Sequence, residues 1–206
     1  MKKLFATVTL FAFFAFLPIS CGLLCRDSCG CGPSPKLQEI RIKSLSVSTV
    51  DKSGVAVVAT EGKAFDQVFK SIRIDEVEFL AEVQNQATAI SSFGTAFACS
   101  PIPPKSVNAL SLIQVINEKE FTTSNGVVYA EGDDISSLFG VNYFFGAELT
   151  ALEDFLEGGL ELYQYEDLKV GLLQNPEKEL NLEFKMRLVF DDAQEFVLSN
   201  QLLSVK

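Results

Sequence analysis

"LNLEFKMRLVF", residues 180–190, alternates without a break. Leu180, Leu182, Phe184, Met186, Leu188 and Phe190 fall on one side. Asn181, Glu183, Lys185, Arg187 and Val189 fall on the other. A period of two belongs to a strand with one dry face and one wet face, the usual pattern of an antiparallel sheet. "DDAQE", residues 191–195, follows as a turn, and Phe196 to Leu198 begin a returning strand that reaches toward Val205.

The same period recurs from Leu37 onward, with its phase shifted in three places. Ile40 and Ile42 are followed by Leu45 and Val47. Ile72 and Ile74 are followed by Val77, Phe79, Ala81 and Val83. Leu110 and Leu112 are followed by Ile113 and Val115. Each shift carries the apolar set to the opposite face, so it predicts a bulge or a strand that passes between sheets. Residues 126–129 and 168–172 add short strands.

One segment has helical spacing. In "AELTALEDFLEGG", residues 147–159, Leu149, Leu152, Phe155 and Leu156 form a stripe that Gly158-Gly159 ends. This predicts a short helix near 147–157. "DISSLFG", 134–140, reads as one further helical turn, and residues 60–71 around Phe65 and Phe69 as helix or packed loop. Several short strands separated by turns predict an all-β fold, an antiparallel two-sheet sandwich of immunoglobulin-like form. No composition shift or linker follows Lys36, so residues 37–206 are expected to form a single domain.

Composition narrows the function classes. The chain has 206 residues, 48% hydrophobic, with a formal net charge of −10. Without Lys2 and Lys3 it has 15 basic and 27 acidic side chains, a charge of −12. That excess argues against nucleic acid, whose phosphates need clustered Lys and Arg. It also argues against a basic patch on anionic lipid. The chain contains no histidine, which removes histidine-assisted serine and cysteine hydrolysis and the commonest metal ligand. It contains no tryptophan either, the strongest aromatic platform.

The amino terminus reads as an address. Lys2 and Lys3 precede an uncharged run from Leu4 to Leu17, and Pro18-Ile19-Ser20 leads into Cys21. This is the layout of a secretory signal over residues 1–20. The run is short of the roughly 20 apolar residues of a membrane-spanning helix. Residues 21–36, rich in Cys, Gly and Pro, read as a tether. Cys25, Cys29, Cys31 and Cys99 are candidates for disulfide bonds in an oxidising compartment. Their spacing lacks the paired knuckles of a zinc site, and no metal or cofactor is expected.

Leu17-Pro18-Ile19-Ser20-Cys21 resembles a bacterial lipobox, with proline at 18 where leucine is usual. The resemblance makes Cys21 the lipidated residue and the membrane a partner through that lipid. Gly22, in place of an aspartate, implies the outer membrane. A cysteine-rich lipobox, about 170 further residues, a central "SLFGVNYF" at 137–144 and a final hairpin together resemble small Gram-negative lipoproteins with no assigned activity. The family implies an immunoglobulin-like sandwich on a lipid tether.

Few residues in the body of the chain suggest chemistry. The adjacent carboxylates Asp133-Asp134, Glu153-Asp154, Glu166-Asp167 and Asp191-Asp192 read as turn and helix-surface residues. None fits an EF-hand loop. "GVNYFFGA", 140–147, reads as an apolar loop that either packs under the following helix or forms an exposed patch. "CSPIPPK", 99–105, reads as a proline-rich connection. The expectation is a noncatalytic, lipid-anchored envelope module that binds or supports a partner. A small hydrolase working through a carboxylate pair is the alternative. Protein, glycan and peptidoglycan all remain open as the partner.

Overall fold

A computed structural model describes residues 37–80, 102–146 and 148–206. The described residues from 38 to 80 and from 103 onward belong to one compact unit. Cys21, Cys25, Cys29, Cys31 and Cys99, with the signal and tether segments, lie outside the described residues.

The unit is mostly β. Its strands are β1 (Glu39–Asp51), β2 (Val68–Phe79), β3 (Lys105–Asn117), β4 (Phe121–Thr122), β5 (Val128–Tyr129), β6 (Phe139–Tyr143), β7 (Thr150–Ala151), β8 (Leu160–Tyr163), β9 (Leu168–Leu172), β10 (Leu180–Phe190) and β11 (Glu195–Val205). A 3-10 turn covers Ser136–Leu138 and a single α-helical turn, α1, covers Leu152–Phe155. Nine strands form a large sheet in the order β11-β10-β3-β1-β2-β9-β6-β7, with β8 beside β3, while β4 and β5 form a separate hairpin. The large sheet is mixed, because β1 and β3 pair in parallel at Glu39↔Lys105 and Ile40↔Ser106.

The sheet folds over itself. β11 contacts β1 and β2, although β10 and β3 separate it from them in the hydrogen-bonding order. The Ser204 amide donates to the Ala59 carbonyl at 3.1 Å, and the Gln194 side-chain amide donates to the Ile42 carbonyl at 2.9 Å. Between the facing halves lies one core, which includes Ile40, Leu110, Ile113, Phe139, Phe184 and Leu203. β10 contributes its entire dry face. Leu180, Leu182, Phe184, Met186, Leu188 and Phe190 are all buried, and each residue between them is more exposed.

All three phase shifts in the sequence coincide with breaks in strand register. In β1–β2, Ile42 pairs with Val77, Ser44 with Glu76 and Leu45 with Ile74. Lys43 and Asp75 are therefore the extra residues, one on each strand. In β3–β10, Val189 pairs with Leu112 and Phe190 with Leu110, which leaves Ser111 as the bulge. The Ser111 hydroxyl donates to the Val189 carbonyl at 3.0 Å. The bulges at Lys43 and Asp75 keep the apolar residues on both sides turned inward, whereas beside Ser111 the core face is held by Leu110 and Ile113 and Leu112 is exposed.

Three expectations need correction. Of residues 60–71, read as helix or packed loop, Val68 to Ser71 with Phe69 already belong to strand β2. Residues 140–143 of the segment read as a loop, together with Phe139 from the segment read as a helical turn, form strand β6, paired with β9 from Phe139↔Leu172 to Tyr143↔Leu168. Gly140 faces Gly171 in that ladder. A Cβ on Gly140 would lie 2.5 Å from Leu173 Cδ2 and 2.9 Å from Leu149 Cβ, and one on Gly171 would lie 2.7 Å from Phe69 Cδ1. The facing glycines make room for these side chains, and they also interrupt the alternation by which a strand is recognised. The helix near 147–157 shrinks to Leu152–Phe155, because Thr150 and Ala151 pair with Val141 and Gly140 as strand β7. The helix ends at a Leu156 C-cap, ahead of the glycines expected to stop it, and Gly158 and Gly159, at φ +83° and +84°, turn the chain into β8.

Candidate functional site

The site is built on the outer face of β1 and β2. Ser48 pairs with Ser71, and Val50 with Phe69. Arg73, two residues beyond Ser71, points the same way. The chain leaves β1 through a turn ordered by Asp51. Its Oδ1 accepts from the amides of Ser53 (2.8 Å) and Val55 (3.0 Å). Gly54 sits at φ +82°, and the Phe144 ring lies against it, 3.2 Å from where a Cβ would be.

Two further turns complete the wall. β6 ends in a turn closed by the Gly146 amide donating to the Tyr143 carbonyl at 2.8 Å. The Phe144 amide donates to the Asp167 carbonyl at 2.8 Å, which joins this turn to the connection between β8 and β9. Tyr165, Glu166 and Asp167 lie on that connection. The Lys169 ammonium donates to the Gly146 carbonyl at 3.2 Å and sits 5.6 Å from the centroid of the Phe69 ring. Partial burial, and then the charge of Lys52, lower the Lys169 pKa.

The three turns enclose a cleft of about 840 Å³. In its lining Arg73 grips Asp167 with two prongs, Nε to Oδ1 at 3.0 Å and Nη2 to Oδ2 at 2.7 Å. The Ser71 hydroxyl donates to Oδ2 at 3.0 Å. The hydrogen bond and charge of Asp167 raise the Arg73 pKa further above its already high value. Tyr143 lines the cleft with its hydroxyl pKa raised, first by burial and then by the charges of Glu166 and Tyr163.

The apolar turn divides three ways. Tyr143 packs edge-on against Phe155 of α1, with ring centroids 5.7 Å apart, as the packing alternative anticipated. Phe144 is buried in a small separate cluster with Val50 and Phe69. Phe145 is 91% exposed and stands in the cleft, where Tyr165 is 74% exposed.

The carboxylate pairs divide as well. Asp133 accepts from the Ala130 amide, Asp134 from the Ser136 amide and Gln114, and Asp192 from the Gln194 amide. The backbone amides make turn contacts, as the sequence suggested, while Gln114 of β3 reaches Asp134 and the Asn108 side-chain amide reaches Asp191 from farther along the chain. Glu153 and Asp154 occupy the first turn of α1. Glu166-Asp167 differs in that Asp167 forms an ion pair, with Arg73, across 94 residues of chain. Both Asp167 oxygens already accept from Arg73 and Ser71, which makes this carboxylate a strut rather than a proton carrier. Among the described residues no group of three or more Cys, Asp or Glu is placed to hold a metal ion. No helix among them is long and apolar enough to cross a membrane.

No protein-family model matches the chain, and no curated protein does. Among solved structures, the C-terminal domain of the Streptococcus pyogenes antigen I/II-family protein AspA matches over 79% of this chain and 46% of its own, at 13% identity and a TM-score of 0.27. The C-terminal domain of the Streptococcus agalactiae AgI/II polypeptide BspA matches over 79% and 49%, at 12% identity and a TM-score of 0.27. The chain thus spans about half the length of either structure. Likeness at that level assigns no function.

Proposed function

We propose that this protein is a noncatalytic binding module of the Gram-negative cell envelope, held at the outer membrane by lipid on Cys21, and that the cleft is its binding site. The observation that carries the reading is the pair of exposed rings, Phe145 and Tyr165, beside the Arg73–Asp167 ion pair. Large aromatic side chains gain most from being covered, and a few fixed polar groups among them set orientation. The volume lies within the range of about 300–1,000 Å³ typical of small-ligand sites. The charged n-region, the apolar run and Ser20-Cys21 support the anchor. A single acyl chain binds a membrane weakly, whereas two or more hold it stably.

Two experiments test the two parts. Changing Cys21→Ser should move the protein out of the membrane fraction, or leave it as a precursor with the signal mass retained. Equal mass and fractionation for wild type and variant would remove the lipid anchor. For the cleft, the comparison is made in the Cys21→Ser chain, which lacks the lipid: with Phe145→Ala and Tyr165→Ala added it should adsorb to isolated envelopes at least about tenfold more weakly than without them. Unchanged adsorption would show that the cleft is not the binding site.

A further inference from the structure

From the chemistry of the cleft lining we infer that its ligand is a neutral oligosaccharide. The inference rests on the cleft being a binding site. It deepens that reading by naming the class of ligand.

The rings come first. Phe145 and Tyr165 rise from two different turns that are tied together by the Phe144 amide and the Asp167 carbonyl. Phe145 is braced edge-on by Phe144, with centroids 5.1 Å apart. Phe144 is itself buried against Val50 and Phe69. An exposed ring on a fixed mount offers a flat apolar platform at low entropic cost on binding. The C–H face of a sugar ring is a surface that can lie on it.

The polar lining selects against charge. The charged lining residues are Arg73, Glu166 and Asp167, with Lys169 beside them, so neither sign dominates the cleft. Arg73 and Asp167 already satisfy each other in a two-pronged contact. A strongly charged ligand would have to break that contact or sit unpaired beside it. The whole chain carries −10, which repels acidic polysaccharides at longer range.

A neutral polyhydroxyl ligand meets no such obstacle. Arg73 spends Nε and Nη2 on Asp167, and the guanidinium has five N–H donors in all. The remaining ones, with the hydroxyls of Ser48 and Ser53 in the lining, suit groups that both donate and accept. The cleft, at about 840 Å³, is near the upper end of the small-ligand range, which favours several linked sugar units over one.

The test is a titration of the full chain with maltotetraose, cellotetraose and chitotetraose. With no tryptophan and four tyrosines, intrinsic emission comes from tyrosine, and Tyr143 and Tyr165 both line the cleft. At least one of the three sugars should produce a saturable change in that emission and a matching calorimetric heat. Phe145→Ala and Tyr165→Ala should each weaken this binding about tenfold or more. Both rings are mostly exposed, so each variant should keep the wild-type circular dichroism. Lys185→Ala, on the outer face of β10, should bind as wild type.

The inference is overturned if none of the sugars binds at ~1 mM, if the ring variants bind as well as wild type, or if polygalacturonate or a peptide pool binds at the cleft instead. Loss of envelope adsorption in the double ring variant, without sugar binding, would remove the oligosaccharide and keep the cleft as a site. Retained adsorption would remove both.

Discussion

Replacing Phe184 with alanine should lower the unfolding free energy by about 3–5 kcal/mol. Phe184 is 0% exposed, and its ring lies 5.2 Å from that of Phe139, centroid to centroid. It sits on β10, which pairs with both β3 and β11, so the void would open between paired strands that cannot easily close it. Lys185, the next residue, is partly exposed on the opposite face, and its change to alanine should cost under about 0.5 kcal/mol. A loss of the size expected for Phe184 is a large share of the roughly 5–15 kcal/mol that holds a typical domain together. Urea melts of both variants with unchanged slopes are the measurement. Equal losses would place Lys185 in a buried network and contradict the register of β10.

The contrast between these neighbours shows why β10 was legible. Its pairing needs no bulge until Phe184/Met186 on the β11 side and Val189/Phe190 on the β3 side, and neither disturbs its own alternation. β1, β2 and β3 were legible in a second way, because the shifts in their apolar phase marked the bulges at Lys43, Asp75 and Ser111. β6 was hidden because Gly140 stands where its pattern needed a side chain. β7 and β8 were hidden because two and four residues are too few to show a period.

The cleft was only partly legible. The segment "GVNYFFGA" drew attention as an apolar stretch, but sequence alone could not distinguish buried Phe144 from exposed Phe145, since neighbouring positions on a turn obey no fixed period. Glu166-Asp167 resembled the three other acidic pairs. What sets it apart is Arg73, whose partner lies 94 residues away. The one local sign was that Arg73 shares a face with Ser71 while Lys70, Ile72 and Ile74 occupy the other. Lys70 on that inner face is the residue that the pattern alone would least have predicted.

Lys70 should make the protein less stable at neutral pH than at high pH. Its side chain is buried, with the residue 3% exposed, and its ammonium donates to the Thr49 hydroxyl at 2.8 Å. Desolvation lowers its pKa from 10.5 to about 8. Below pH 8 both folded and unfolded chains hold the proton, so the folded state carries the full cost of a buried charge. Between pH 8 and 10.5 the unfolded chain keeps the proton and the folded chain has lost it, so stability rises with pH. Over that window the gain is about 3 kcal/mol, at 1.36 kcal/mol for each unit of pKa displacement. Lys70→Met keeps the aliphatic bulk and removes the charge, at the loss of one hydrogen bond worth about 1 kcal/mol. The variant should therefore be more stable than wild type by about 2 kcal/mol at pH 7. That advantage should shrink from pH 8, vanish near about pH 9.5 and reverse to about 1 kcal/mol in favour of wild type by about pH 10.5, where wild type no longer buries a charge and keeps its contact with Thr49. Every other titratable group is common to both proteins and cancels in the difference. Paired urea melts across pH 7 to 10.5 give that difference directly. A constant gap would mean that Lys70 is not titrating on folding. A variant less stable at pH 7 would mean that the Thr49 contact outweighs the desolvation of the ammonium.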